Sequence, residues 1–183
     1  MVRLMLALLL LASPAAAGCF GPPIPAKLHY DSGRTVEILS HTAQDLTVRS
    51  ILPNGNPDIS TVRGGLFTLL GSNNGTTFSY EWQSALPDIG DLQPGQDLHF
   101  AADMVVEHAH RTYLKLDIKV LRQDHLTVGG CDYPVIVVER TDSRDGKPAA
   151  KLVMWISTSL RVPLRTEVTQ DSVTKVFNVT AME

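Results

Sequence analysis

Two histidines, His108 and His110, make the first arrangement that could carry chemistry. Residues two apart on a strand share a face, so both imidazoles could reach one ion. A structural zinc site takes four protein ligands and a catalytic one three, so the pair is incomplete alone. His99, His125, Asp103 and Glu107 are the residues that could complete it. That constellation defines one alternative, a metal-binding enzyme. The same stretch, 107–111, is also a polar break between two β-rich runs, where histidines at a hairpin tip are solvated and need no role. A second candidate is the thiol of Cys131. A nucleophilic cysteine needs a basic neighbour or a helix N-terminus, and Asp132 beside it acts the other way. The acids Asp88 and Asp91 would serve hydrolysis only if held roughly 5–9 Å apart across a cleft; in a connection rich in proline and glycine they read as surface. The chain contains no Gly-x-Ser-x-Gly elbow, no phosphate-cradling Gly-x-x-x-x-Gly-Lys-Ser/Thr and no Gly-x-Gly-x-x-Gly turn. No catalytic residue is therefore assigned and no cofactor is expected.

The cysteines lead to the compartment. Met1-Val2-Arg3 supplies one positive charge, an apolar run follows from Leu4 to Ala12, and Ser13-Pro14 precedes Ala15-Ala16-Ala17. This is the pattern of a cleaved secretory signal over 1–17. Its apolar run is too short for a membrane helix, which needs about 20 residues, and no other run is long enough to span. Cleavage removes Arg3 and takes the formal charge from −3 to −4. Beyond the leader stand just two cysteines, Cys19 and Cys131. An exported compartment is oxidising, which favours a disulfide between them. Closing so long a loop has an upper entropic value of about 4–5 kcal/mol. The small residues Ala16-Ala17-Gly18 before Cys19 also match a lipoprotein signal, although Ala16 stands where Leu is usual. A lipid anchor and the bridge exclude each other, since both use the Cys19 sulfur.

The rest of the chain must position any site, and its pattern is β. The 183 residues are 44% hydrophobic and 19% charged, which fits one globular domain and excludes a disordered chain. A net charge of −3 gives no basic face for nucleic acid. Residues 18–34 read as an extended, proline-rich lead-in. From Thr35 onward, apolar and polar residues alternate between turn signals every ten or so positions. In 112–122, Leu114, Leu116, Ile118 and Val120 point one way, while Tyr113, Lys115, Asp117 and Lys119 point the other. That is one buried and one wet face, as in an antiparallel sheet. No segment carries a capped helical stripe. The expected fold is all-β, an antiparallel half-barrel or a two-sheet sandwich. It forms one domain over 35–183, with a soft internal boundary near 83–96.

Phe78, Tyr80 and Trp82 form an aromatic stripe at strand spacing, and Trp155 adds a further aromatic. Such stripes are usually core. A curved sheet without a covering helix, however, leaves a concave face for side chains, a partner or an apolar ligand.

The segment 94–165 resembles a family of exported bacterial β-proteins. The resemblance rests on Pro94-Gly95, Tyr113-Leu114-Lys115-Leu116, the strand at Val120, and Gly129-Gly130 before a valine-rich strand. Trp155-Ile156-Ser157, Leu160 and Pro163-Leu164-Arg165 follow. It implies a half-barrel distantly similar in shape to periplasmic lipoprotein carriers, a bacterial source and an envelope compartment. It carries over no catalytic residue, and Cys131 departs from its pattern.

The sequence thus leads to an exported periplasmic or secreted protein without enzymatic activity. It would bind an apolar ligand or an envelope-protein segment on a concave sheet face, with Phe78, Tyr80, Trp82 and Trp155 as candidate contacts. Alternatives are an interaction protein with no small ligand and the metal enzyme of His108 and His110. Protein exported with its own leader should have a mass beginning at Gly18 and lighter by two hydrogens. A mass unchanged by reduction would exclude the bridge, and an added diacylglyceryl mass would establish the anchor.

Overall fold

The computed structural model describes residues 24–107 and 110–183. The leader 1–17, Cys19 and His108 lie outside the described residues, and of His110 only the backbone is described. Twelve strands follow one another: β1 (Lys27–Tyr30), β2 (Thr35–His41), β3 (Asp45–Ile51), β4 (Pro57–Arg63), β5 (Phe67–Asn73) and β6 (Thr76–Trp82). After a 3-10 turn at Ile89–Asp91 come β7 (Asp97–Val106), β8 (His110–Val128), β9 (Cys131–Arg144), β10 (Lys147–Ser157), β11 (Pro163–Gln170) and β12 (Val173–Met182). Each pairs antiparallel with its neighbours in sequence, and β1 pairs with both β2 and β12. The all-β, single-domain expectation holds. The half-barrel and the sandwich do not, because this last pairing closes the sheet into a barrel.

Closure is made by the stretch expected to be a lead-in. Leu28 stands opposite Val36 on one side and Met182 on the other. The amides of Lys27 and Glu183 each donate to the other's carbonyl at 3.0 Å. Asp31 fastens the end of β12, accepting from the Asn178 backbone N–H at 3.0 Å and its Nδ2 at 2.7 Å.

Because paired residues share a face, the register carries one side-chain row around the circuit. Trp82 lies opposite Ala102, Ala102 opposite Leu114, and Phe100 opposite Leu116. Leu116 faces Asp142, Val120 faces Val138, Val138 faces Met154, and Met154 faces Thr166. Thr166 faces Phe177, and the row returns through Leu28, Val36, Ser50 and Asp58 on β1–β4. This row is the barrel interior. The opposite row carries ion pairs: Glu37 with Lys27 (3.6 Å) and Arg49 (3.2 Å), Arg63 with Asp45 (2.8 Å), and Lys151 with Glu139 (2.9 Å). A lipid-spanning barrel has the reverse arrangement, an apolar belt outside and a polar lumen.

β9 is buried on both faces. Tyr133, Val135 and Val137 belong to one apolar cluster, with Leu160, Val162 and Leu164. Ile136 and Val138 belong to another, with Phe67, Phe100 and Met154. This explains the unbroken run Val135-Ile136-Val137-Val138, all at most 2% exposed. A strand with one wet face would alternate. The β8–β9 register slips between Val120 and Arg122, which places Leu126 opposite Tyr133 and Val128 opposite Cys131. A bulge of this kind re-aims side chains while pairing continues.

Gly65, between β4 and β5, shows how closely the backbone must approach itself. Its φ is +68°, and a Cβ there would lie 2.6 Å from the Arg161 carbonyl oxygen. Gly65→Ala combines left-handed strain with a backbone clash and should cost at least about 2 kcal/mol. A urea midpoint equal to that of the parent would refute this.

Candidate functional site

A closed barrel of eight strands is just wide enough for side chains to fill. Twelve strands enclose more than that, and here the interior divides into a packed half and a hollow half.

The packed half lies between β5 and β10. Phe67 is its centre, meeting Trp82 edge-on at 5.4 Å between centroids and Phe100 at 4.9 Å. Tyr80 stacks beside Trp82 at 6.1 Å, and the Trp82 indole N–H donates to the Thr68 carbonyl at 3.0 Å. The connection 83–96 folds Ile89 and Leu92, each 3% exposed, into the same cluster. One inward ion pair is held here. Arg140 gives Nε and Nη2 to the two Asp142 oxygens at 2.6 and 2.7 Å, and Nη1 to the Leu66 carbonyl at 2.7 Å. The space left beside Tyr80 and Trp82 is only about 30 Å³, on the scale of one water.

The hollow half lies between β10 and β4, passing through β11, β12 and β1. It contains a cavity of about 540 Å³. Its wall is mostly aliphatic: Leu28, Val36, Val48, Val62, Leu152, Met154, Val162 and Val168, with Phe177 and Pro53. One cation reaches it. Arg34 follows the turn at Asp31-Ser32-Gly33, and its Nη2 donates to the Ser50 Oγ at 2.6 Å. Its guanidinium lies 5.4 Å over the Tyr30 ring, whose hydroxyl donates to the Pro163 carbonyl at 3.0 Å. Burial pushes the Tyr30 phenol up, against the pull of Arg34, so it stays neutral at physiological pH. The Arg34 Nε is buried without a hydrogen-bond partner among the described residues. A neighbouring recess of about 220 Å³ shares Arg34, Ser60 and Thr68 with the cavity and adds Asp58, Phe78 and Tyr80.

The aromatic stripe is therefore divided. Tyr80 and Trp82 belong to the packed half, and Phe78 with Tyr80 borders the recess. Trp155 sits on the face of β10 opposite Leu152 and Met154, under the Arg165 guanidinium at 4.9 Å. Cys131 opens β9 at 6% exposure, and no described cysteine is a free thiol. His99 is not joined to other ligands but bonds Asp117 at 2.6 Å on the exposed face. Among the described residues no group of three or more His, Cys, Asp or Glu could hold a metal. The residues of the cavity went unread in the sequence. They come from eight strands, and only the alternation in β2 and β3 hints at them.

The class defined by this architecture is a closed twelve-stranded antiparallel barrel, charged outside and partly hollow within. Among solved structures it is similar to the hypothetical lipoprotein YmcC from Escherichia coli (K12). The TM-score is 0.50 at 11% identity, covering 85% of this chain and 86% of that one. A candidate exported protein with a YmcC-like fold from Bacteroides fragilis gives a TM-score of 0.44 at 9% identity, over 90% and 99% of the two chains. A candidate lipoprotein from Parabacteroides distasonis also gives 0.44 at 9%, over 87% and 94%. The likeness to YmcC is one of fold and spans most of the chain, not only 94–165. No family model and no curated protein matches the chain.

The connection 83–96 is pinned across the barrel by one ion pair. Asp88 accepts from the Gly90 N–H at 2.9 Å and from Arg161 Nη1 at 2.9 Å, and these bonds hold its carboxyl below the usual range. A depressed carboxylate stabilises the fold above its unfolded pKa of about 3.9, and this is lost as pH falls through the folded value. Both side chains are about a fifth exposed, 23% and 21%, which discounts the pair. Asp88→Asn should cost about 1–2 kcal/mol at pH 7, and the difference from the parent should shrink as pH falls through the folded carboxyl's titration. A difference independent of pH across the acid range would show that charge is not the cause.

Proposed function

We propose that this chain is an exported envelope protein that binds an apolar ligand inside its barrel and performs no reaction on it. The observation that carries the reading is the aliphatic cavity of about 540 Å³, lined by β1–β5 and β10–β12. Its size lies within the range of small-molecule sites, about 300–1,000 Å³, and its wall is of the apolar kind they use. A monomeric barrel with a fully packed interior would be more stable, since unfilled apolar space forfeits dispersion contacts. An occupant recovers them. The leader-like start of the sequence, the charged outer face and the lipoprotein description of YmcC, which shares this fold, support an envelope location. The Cys19–Cys131 bridge belongs to the same reading, as it needs an oxidising compartment.

The test uses N-phenyl-1-naphthylamine, a neutral probe that fluoresces when it leaves water. The parent should bind it saturably with a stoichiometry of one. Val168→Trp, which places an indole in the cavity from β11, should weaken binding at least tenfold without loss of the far-ultraviolet β signal. Absence of probe binding, or equal binding by the filled variant, would end this reading in favour of an interaction protein that binds no small ligand.

A further inference from the structure

We infer that the ligand of the cavity is a single-chain amphiphile with an oxyanion head, held by Arg34. This rests on the cavity reading above and adds the chemistry of the ligand's polar end. Seven of the nine described arginines have an acidic partner within 4.0 Å: Arg49, Arg63, Arg111, Arg122, Arg140, Arg161 and Arg165. Arg34 and the exposed Arg144 have none among the described residues, and of these two Arg34 stands at the wall of the 540 Å³ apolar cavity. Its one hydrogen-bond acceptor is a neutral hydroxyl, Ser50 Oγ, and Nε is left buried and unpartnered.

A guanidinium has five donors in a planar fork suited to carboxylate or phosphate. Leaving a buried donor such as Nε without an acceptor is costly, and an oxyanion meets the fork best. The placement is also fixed. The Tyr30 ring supports the guanidinium from one face, and the Tyr30 hydroxyl is committed to Pro163, so the fork is held toward the cavity rather than free to swing. Contrast with Arg140 is instructive. That inward arginine is neutralised by Asp142 and its space is filled. Asp58, opposite Ser50, borders the recess together with Arg34 but is not within ion-pair distance. An anionic head enters against its repulsion, so Asp58 limits affinity and favours heads that reach Arg34 from the aliphatic side.

The experiment displaces N-phenyl-1-naphthylamine with three compounds of equal chain length: dodecanoate, dodecyl phosphate and 1-dodecanol. With the parent protein both anions should displace the probe at least tenfold more effectively than the alcohol. The better of the two distinguishes a fatty carboxylate from a phosphate-headed lipid. Arg34→Met should bring all three within about twofold of one another, with Arg34→Lys retaining part of the preference. Asp58→Asn should raise the preference for the anions. Equal displacement by the alcohol and the anions in the parent overturns the inference while leaving the cavity reading intact. Failure of the probe itself to bind defeats both. The parent comparison needs no variant, so a poorly folding Arg34→Met does not remove the test.

Discussion

Everything in this molecule depends on a four-residue strand. β1 supplies the hydrogen bonds that β2 and β12 would otherwise lack, and so converts an open eleven-stranded sheet with two bare edges into a ring of twelve. Open edges are templates for pairing with other chains, and closure alone removes them. It also makes the interior: without the ring, the inward row would be a concave apolar face in water. The residues that join it lie far apart in sequence. His29 and Glu183, 154 positions apart, meet at 3.0 Å beside the seam.

Once closed, the ring is too wide to fill evenly. The aromatic group around Phe67, the folded connection 83–96 and the Arg140–Asp142 pair occupy one side. The other side is lined by smaller aliphatic residues that do not meet in the middle. Arg140 and Asp142 in the filled half neutralise each other, whereas Arg34 in the hollow half has no ion-pair partner among the described residues. Electrostatics and packing thus divide the barrel along the same line. The filled half is a packed core, and the hollow half leaves open apolar space along its wall.

Much of the scaffold was legible in the sequence because it alternates. Leu114, Leu116, Ile118 and Val120 are buried as their spacing dictates, and their polar neighbours face water. β4 was hidden because its inward row, Asp58, Ser60 and Val62, is mostly polar, and Pro57 ends a turn-rich segment. β1 was hidden by its length and by the prolines before it. Closure could not be read at all, since pairing between first and last strands leaves no local pattern. The same holds for the cavity, assembled across the barrel from Leu28 to Phe177. Arg34, directly after Asp31-Ser32-Gly33, looks like ordinary turn chemistry until Ser50 and Tyr30 surround it.

The order in which the strands occur along the chain has a kinetic meaning. A polypeptide delivered from its N-terminus presents β1 first, but the strand that completes its pairing, β12, arrives last. Hairpins from β2 to β12 can form in sequence as each turn emerges, because every other pairing is between neighbours. The ring cannot shut until the whole chain has been handed over. The entropic cost of that final long-range contact grows only with the logarithm of the separation, so it delays folding more than it weakens the product. In the interval the sheet is a growing ribbon with its apolar row uncovered and two edges exposed, the form in which β-proteins aggregate. The vulnerable moment in the life of this barrel is therefore its birth, before β12 meets β1.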